Sequence, residues 1–298
     1  MRRRSVIGIA AGLALIAGLQ GSVGPAPQTG FLDDFAWHMR DPRFGGFSAI
    51  DLSADGLSFI AVSDQGAFTT AILTRDADGR IKTIAANRVT PLLDENGAPL
   101  SRVGNDSEGM AIAADGTVYV SFEGGARVLR YARLDGPAET LPTPRAFASM
   151  QNNSSLESLA IDAAGTLYTL PERSGAPSKP FPVYRFRSGK WDATFSIPRT
   201  ENYLAVSADF GPDGRFYLLE RQFRGLAGFS SRLRRFTLDR SGFGSADTLL
   251  QTPVGLHDNL EGLSIWRNTG GRLTATMVSD DNFNPFLRCQ IVEYRLPD

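Results

Sequence analysis

The sequence predicts an all-β protein, and more narrowly a β-propeller built from four-stranded blades. The 31 glycines and 17 prolines of the 298 residues stand singly between short apolar segments, which is typical of tight turns between strands. In addition, one sequence pattern recurs at intervals of about fifty residues, the length of four short strands with their loops. Units of this length, arranged around an axis, form a propeller.

Each repeat contains an apolar strand, a turn with glycine, and a second strand that ends on an acidic residue. Aromatic and β-branched residues are enriched in these segments, and D-G or A-G pairs between them indicate hairpins. The five copies begin at residues 45–56, 105–116, 152–165, 206–214 and 258–271.

The two ends of the chain complement each other. The last repeat lacks a fourth strand, whereas residues 31–40 precede the first repeat and have no repeat of their own. We expect this N-terminal strand to complete the last blade and to close a ring of five blades. One alternative is a ring of six blades, in which the additional blade would lie between Gly56 and Arg102. A β-sandwich is a second alternative.

The first residues indicate export. Three arginines precede an apolar segment from Val6 to Leu19, which is shorter than the roughly 20 residues of a membrane-spanning helix. We predict a signal peptide over residues 1–24, a flexible mature N-terminus over 25–30 and a single propeller domain over 31–298. The protein is therefore expected to be periplasmic or secreted, through a Sec or alternatively a twin-arginine signal, without a stable membrane anchor after cleavage.

The charge balance limits the partners of the protein. Lysine and arginine number 31 against 32 aspartates and glutamates, so no overall field attracts nucleic acid or an anionic membrane. We expect a monomer that binds a small anionic or ester substrate. Cys289 is the only cysteine and has no intramolecular partner, so the fold depends on its core.

Acidic residues recur at two positions of the repeat. Glu108, Glu157 and Glu261 begin the first strand of their repeats, and Ser48 and Val206 occupy the matching positions. Acids end the second strand in all five repeats, namely Asp64, Glu123, Glu172, Glu220 and Asp280. A hairpin brings the start of its first strand beside the end of its second, so eight carboxylates are expected at one mouth of the channel.

Such a cluster predicts a bound cation. Two carboxylates about 6 Å apart repel by roughly 3 kcal/mol at an effective dielectric constant near 20. Oxygen ligands favour Ca²⁺, or another hard divalent ion such as Mg²⁺, over zinc, and two histidines are too few for a multi-histidine site. The predicted metal ligands are Glu108, Glu157, Glu261, Asp64 and Asp280. The alternative is that these acids bond backbone amides and join the blades.

Arginine and asparagine residues near the same mouth are candidates for substrate binding. A guanidinium can hold a phosphate or a carboxylate through two parallel hydrogen bonds. The candidates are Arg43, Arg173, Arg221, Asn153, Asn259 and Asn282.

Nucleophilic catalysis has little support, since no G-x-S-x-G sequence is present. His257 lies before a first strand and could act as a base, with Ser48 or Ser107 nearby. The pair Gly45-Gly46 could hold an anion through backbone amides.

Taken together, the segments GGFSAID, NDSEGMAI, NNSSLESLAID, VSADFGPDGRFYLLER, DNLEGLSI and VSDDNFNPF resemble the phytase-like propeller family, "esterase-like activity of phytase". The resemblance extends from about Phe44 to Leu296 and implies an exported propeller with calcium-dependent hydrolysis of phosphate or carboxylic esters. Its carried-over positions are the glutamates at 108, 157 and 261, the acids at 64, 123, 172, 220 and 280, and the asparagines at 153, 259 and 282.

The resulting hypothesis is a metal-dependent hydrolase whose catalytic candidates are Glu157, Glu108, Glu261 and His257. One alternative is a propeller that binds a ligand or a protein without catalysis. Another is a lactone hydrolase similar to the gluconolactonase propellers.

Overall fold

The computed structural model describes residues 30–101, 104–150, 155–284 and 286–297. The predicted signal peptide and nearly all of the predicted flexible N-terminus lie outside the described residues. Within these ranges the strands form five antiparallel sheets, each with a path of four strands. The fold is therefore a five-bladed β-propeller, as the repeat predicts, and the six-bladed alternative is wrong.

The strands follow the order of the repeats, and the first strand of the chain belongs to the last blade. Blade 5 contains β1 (Phe31–Ala36), β19 (Asn259–Arg267), β20 (Leu273–Asp280) and β21 (Gln290–Arg295). Blade 1 contains β2 (Phe47–Leu52), β3 (Ser58–Ser63), β4 (Ala67–Arg75), β5 (Ile81–Ala86) and the short β6 (Thr90–Pro91). Blade 2 contains β7 (Ser107–Ile112), β8 (Val118–Phe122), β9 (Arg127–Tyr131) and β10 (Ala138–Thr140). Blade 3 contains β11 (Leu156–Ile161), β12 (Leu167–Pro171), β13 (Phe181–Arg187) and β14 (Lys190–Ile197). Blade 4 contains β15 (Leu204–Phe210), β16 (Phe216–Phe223), β17 (Phe229–Asp239) and β18 (Gly242–Gln251).

Helical structure in the described ranges is confined to two short 3₁₀ turns, Phe147–Ser149 and Gly225–Ala227. None of the described segments forms a helix with the length and apolar character required to cross a membrane.

A glycine turn joins the first two strands of each blade. In blade 1 the amide of Gly56 donates to the carbonyl of Ser53 at 2.8 Å, and Gly56 has a φ of +67°. A side chain is strained in this left-handed conformation, so glycine is favoured there. The equivalent glycines of the other blades also have positive φ, and they are Gly116, Gly165, Gly214 and Gly271.

The first strands of the blades surround the channel, and each contacts the first strand of the next blade. Hydroxyl groups connect the blades near one mouth. Ser48 Oγ donates to the carbonyl of Ser107 at 2.6 Å, and Ser107 Oγ donates to the carbonyl of Ser63 at 2.6 Å. Ser155 Oγ donates in the same way to the carbonyl of Glu123 at 2.9 Å. These hydrogen bonds connect blade 1 to blade 2 and blade 2 to blade 3.

The N-terminal strand closes the ring, which confirms the prediction from the unmatched ends. β1 pairs antiparallel with β21 and so becomes the outer strand of blade 5. It also reaches blade 1, because the amide of Ile81 donates to Asp33 Oδ2 at 2.6 Å. Next along the chain, the ring of Trp37 stacks on Phe47 with centroids 4.7 Å apart.

We expect Phe31→Ala to weaken this closure. The ring of Phe31 meets Tyr294 edge-on at 5.5 Å and stacks on His257 at 6.2 Å. Its removal should lower the free energy of unfolding in urea by about 2 kcal/mol. The matched control is Phe286→Ala, because Phe286 is 90% exposed. Equal losses in the two variants would contradict the closing role of Phe31.

Candidate active site at the acidic mouth of the channel

All five first strands depart from regular pairing at the same position of the repeat. The pairing shifts between Phe47 and Ala49 in blade 1, and an equivalent shift occurs in each other blade. The residues inside these five shifts include Ser48, Glu108, Glu157, Val206 and Glu261. A bulge bends its strand and redirects a side chain. The three glutamates therefore start their strands, as predicted, but occupy bulges that the sequence pattern does not reveal.

These three glutamates converge from three different blades. Glu108, Glu157 and Glu261 are buried, with exposed fractions of 8, 6 and 7%. Burial, followed by the charges of Glu157 and Glu261, raises the pKa of the Glu108 carboxyl well above its ordinary value. Burial and the charges of Glu172 and Glu123 raise the pKa of Glu157 in the same direction. The first strands thus bring like charges together in a site with little solvent.

Three carboxylates form a compact group within this mouth. Asp106, Glu108 and Glu123 each offer an oxygen, and these oxygens all lie within 4.8 Å of one another. Two oxygens that share one Ca²⁺ at about 2.4 Å are at most about 4.8 Å apart. The donor set is therefore chemically and spatially suited to a hard divalent ion. We refer to these three residues as the carboxylate triad.

Glu123 connects the triad to the neighbouring blade. Burial and the charge of Asp106 raise the pKa of Glu123 to about 7, although a hydrogen bond from Glu157 opposes the shift. The amide of Ser155 also donates to Glu123 Oε1 at 3.2 Å. Glu157 thus contacts a member of the triad directly.

Arg221 neutralises the opposite side of the mouth. Its Nη1 donates to Glu261 Oε1 and to Asn259 Oδ1, and its Nη2 donates to Glu172 Oε1 at 3.3 Å. Asn259 Nδ2 also donates to Glu261 Oε1 at 2.8 Å. Burial raises the pKa of Glu261, whereas the charge of Arg221 lowers it. Two of the predicted substrate-binding residues, Arg221 and Asn259, therefore hold acids of the mouth in place.

Two further predicted ligands lie in blades 1 and 5. Burial and the charge of Glu261 raise the pKa of Asp64 to about 7 and that of Asp280 to about 8. Asp280 Oδ1 accepts a hydrogen bond from the amide of Asn282 at 2.6 Å. Asp64 and Asp280 thus belong to the acidic mouth but not to the carboxylate triad.

Glu220 departs from the expected ring of eight acids. It is completely buried, and both of its oxygens accept hydrogen bonds from arginines of the adjacent strand β17. Arg232 Nε lies 2.8 Å from Glu220 Oε2, and Arg234 Nη2 lies 2.7 Å from Oε1. These arginines also donate to the carbonyls of Thr200 and Pro198. The prediction that Glu220 joins the open mouth is wrong, because its carboxylate is buried in blade 4 and paired with Arg232 and Arg234.

The other predicted substrate-binding residues differ in position. Arg173 is half exposed and donates through Nε to Glu172 Oε2 at 3.0 Å. Arg43 is exposed in the loop before β2, and Asn282 is exposed after β20. Asn153 lies outside the described residues.

His257 is not presented to the mouth. Its side chain is 2% exposed, and Nε2 lies 2.8 Å from the hydroxyl of Tyr294, while Nδ1 lies 3.6 Å from Asp34 Oδ2. These partners belong to the two outer strands of blade 5. The hydroxyls of Ser48 and Ser107 are bonded to backbone carbonyls, so the hypothesised triad of serine and histidine is not assembled.

The glycine pair and two acids complete the description of the mouth. The amide of Gly46 donates to Asp281 Oδ1 at 2.9 Å, so an internal carboxylate occupies the predicted anion cradle. Neither Asp106 nor Asp281 is among the metal ligands predicted from the sequence. Asp106 directly precedes the first strand of blade 2, and Asp281 directly follows the second strand of blade 5. Because both kinds of strand end lie at this mouth, these positions could have identified the two acids.

Comparison with solved structures finds propellers of low sequence identity. Virginiamycin B lyase from Staphylococcus aureus is 13% identical, with a TM-score of 0.44 over 89% of this chain and 74% of that one. A gluconolactonase from Xanthomonas campestris is 14% identical, with a TM-score of 0.45 over 84% and 72%. The calcium-binding protein regucalcin from Agrobacterium tumefaciens is 10% identical, with a TM-score of 0.49 over 89% and 95%. Likeness at this level says nothing about the activity of the present chain.

A search among curated proteins finds no match. By contrast, residues 42–283 match the family described as "Phytase-like: Esterase-like activity of phytase". The matched range includes all five first strands and the acids that they carry. The chain therefore belongs to the phytase-like family.

Proposed function

We propose that this protein is an exported, cation-dependent hydrolase of phosphate or carboxylic esters, with Ca²⁺ as the preferred ion. The observation that carries the proposal is the carboxylate triad, whose oxygens lie within 4.8 Å of one another. The description of the family, which names an esterase-like activity, supports the same reaction class. Export rests on the arginines and the apolar segment at the N-terminus.

A bound cation would compensate the charge of the triad. None of the ion pairs between described residues involves Asp106, Glu108 or Glu123. Arg221, in contrast, already compensates Glu261 and Glu172. When bound, a hard divalent ion would polarise an ester oxygen and make a nearby water easier to deprotonate. Mg²⁺ has the same ligand preference, but it requires a more regular octahedron.

The chain's own residues would hold and orient the reactants. Glu157 bonds Glu123 and carries a raised pKa, so it can hold a proton beside the triad. Arg173 is half exposed at the rim, where its guanidinium can meet the anionic group of a substrate. Arg221 forms ion pairs with Glu172 and Glu261 and so holds these two carboxylates of the mouth in position.

A non-catalytic ligand-binding propeller is the second candidate function. It is favoured by the engagement of Ser48, Ser107 and His257 in contacts between or within blades. Glu157→Gln separates the two functions. A hydrolase should lose turnover and keep its melting temperature, whereas a scaffold in which Glu157 is structural should lose stability.

The direct test combines calorimetry with hydrolysis assays. Purified protein is titrated with CaCl₂ and MgCl₂, and p-nitrophenyl phosphate, p-nitrophenyl acetate and gluconolactone are assayed with EDTA or with added ion. We expect calcium binding and ion-dependent turnover of at least one ester. Turnover of the lactone alone would favour the gluconolactonase-like alternative. Absence of both calcium binding and turnover would overturn the proposal.

We expect Glu108→Gln to affect Ca²⁺ binding and Glu220→Gln to affect stability, although the chemical change is the same. Glu108→Gln should weaken Ca²⁺ binding more than about tenfold without lowering stability in EDTA, because it removes a repelling charge. Glu220→Gln should lower the free energy of unfolding by about 3–5 kcal/mol, because two buried arginines lose their partner. Calorimetry and urea unfolding measure both effects. Weaker Ca²⁺ binding in Glu220→Gln with unchanged stability would contradict the division of roles.

The raised pKa values predict how stability depends on pH. Burial and the charge of Glu261 raise the pKa of Asp64 to about 7 and that of Asp280 to about 8, whereas the pKa of an aspartate in the unfolded chain is near 4. The folded protein therefore binds more protons than the unfolded chain between about pH 4 and 8, and its stability falls as the pH rises through this window. In EDTA the melting temperature should be higher at pH 5 than at pH 8.

Added Ca²⁺ should raise the melting temperature more at pH 8 than at pH 5, because protons compete for the same carboxylates. Thermal unfolding at both pH values, with EDTA or CaCl₂, measures this difference. A calcium effect of equal size at the two pH values would show that the ion does not bind the titrating mouth.

A further inference from the structure

A second cavity lies beside the acidic mouth and has a different character. Its volume is about 460 Å³, and it lies between the segment after β1 and the turn between β20 and β21. Its lining includes the apolar residues Trp37, Phe44, Phe283 and Leu287 and the charged residues Asp281 and Arg288. The proposed hydrolysis does not use this cavity.

Gly46 joins the cavity to the mouth. A Cβ atom at this position would lie 2.2 Å from Asp64 Oδ1 and 2.5 Å from Phe283 Cε2. The glycine therefore lets a carboxylate of the mouth and an aromatic wall of the cavity pack against the same backbone atom. Asp281 belongs to the cavity wall and also accepts the hydrogen bond from the amide of Gly46.

The position of Phe283 depends on an unusual turn. Asn282 and Phe283 have φ angles of 49° and 48°, a left-handed conformation that is costly for a bulky side chain. The acids of the turn stabilise it, because Asp280 Oδ1 accepts from the amide of Asn282 and Asp281 Oδ1 from that of Phe283. Strain of this kind is concentrated at functional sites. The turn places an exposed aromatic ring between the mouth and the cavity.

The opposite wall is rigid and aromatic. Trp37 is 4% exposed, stacks on Phe47 at 4.7 Å and meets Phe44 edge-on at 5.0 Å. The charges at the rim have partners of their own. Arg288 Nε lies 3.0 Å from Asp258 Oδ2, and Asp281 accepts backbone hydrogen bonds. The lining also includes the polar residues His38 and Asn284, but most of the wall is apolar or aromatic, so the cavity is suited to an uncharged, largely apolar group.

We propose that this cavity binds an uncharged aryl or branched alkyl group of a carboxylic ester substrate. The ester group would reach the acidic mouth past Phe283. This inference rests on the proposed hydrolase function and makes it specific. The volume is sufficient for a naphthyl group, since a cavity of about 150 Å³ already accommodates benzene.

Binding of 1-naphthol tests the cavity without reference to catalysis. Calorimetric titration is carried out on the intact protein and on Phe283→Ala, with Phe286→Ala as the matched control. Phe286 belongs to the same turn, is 90% exposed and does not line the cavity. We expect Phe283→Ala to bind about fivefold more weakly, because one aromatic contact is lost. Phe286→Ala should bind as tightly as the intact protein.

A second variant tests the cavity even if Phe283→Ala does not fold. Leu287→Trp keeps the turn and fills part of the cavity, so it should also weaken 1-naphthol binding. Melting temperatures identify any variant that does not fold. No binding of 1-naphthol, or equal binding by all folded variants, would overturn the inference whether or not the protein is a hydrolase.

Hydrolysis of two esters then connects the cavity to the reaction. The ratio of kcat/KM for 1-naphthyl acetate to that for ethyl acetate is measured by acid release in the same three proteins. The ratio should favour the naphthyl ester and fall about fivefold in Phe283→Ala. Binding of 1-naphthol without turnover of either ester would leave the cavity as a ligand site and reject the hydrolase proposal. A ratio unaffected by Phe283→Ala would reject the cavity as a substrate site.

Discussion

Repulsion among buried carboxylates is the constraint on which the organisation of this mouth depends. The fold resolves it differently in different blades. In blade 4, Glu220 is enclosed by Arg232 and Arg234. At the interface of blades 3, 4 and 5, Arg221 bridges Glu172 and Glu261. Among described residues the ion pairs leave the carboxylate triad of blade 2 without such a partner, so the site with unbalanced charge is the one that suits a cation.

The closed ring of blades holds the carboxylates close together despite their repulsion. β1 completes blade 5 and contacts blade 1, so the first strands cannot separate to relieve the repulsion. Serine hydroxyls and shared apolar clusters hold the blades near the mouth. A rigid frame of this kind can store unfavourable electrostatics until a ligand compensates them. The aromatic cavity extends the same frame, because Trp37 and Phe44 follow the closing strand directly.

Much of this arrangement was predictable from local patterns. The spacing of the repeat predicted the blades, and the unmatched ends predicted the pairing of β1 with blade 5. Hairpin geometry also predicted that Glu108 and Glu123 lie near each other. The roles of Glu220 and His257 were not predictable. Two arginines on β17 surround Glu220, and Tyr294 and Asp34 hold His257. All of these partners lie outside the repeat motif from which the site was inferred.

The sequence by itself determined the period of the blades, the closing strand and the mouth at which the acids gather, because these follow from turns and alternation along the chain. Tertiary structure alone decided which of these acids are neutralised by arginines and that Asp106 joins Glu108 and Glu123. The bulges at Glu108, Glu157 and Glu261 and the left-handed turn at Phe283 are likewise features of the folded structure that the repeat pattern does not reveal. Charge compensation depends on contacts between neighbouring strands and between blades, which the repeat motif does not encode. The carboxylate triad is thus built within blade 2, whereas the compensation of Glu172 and Glu261 by Arg221 depends on three blades that meet at the mouth.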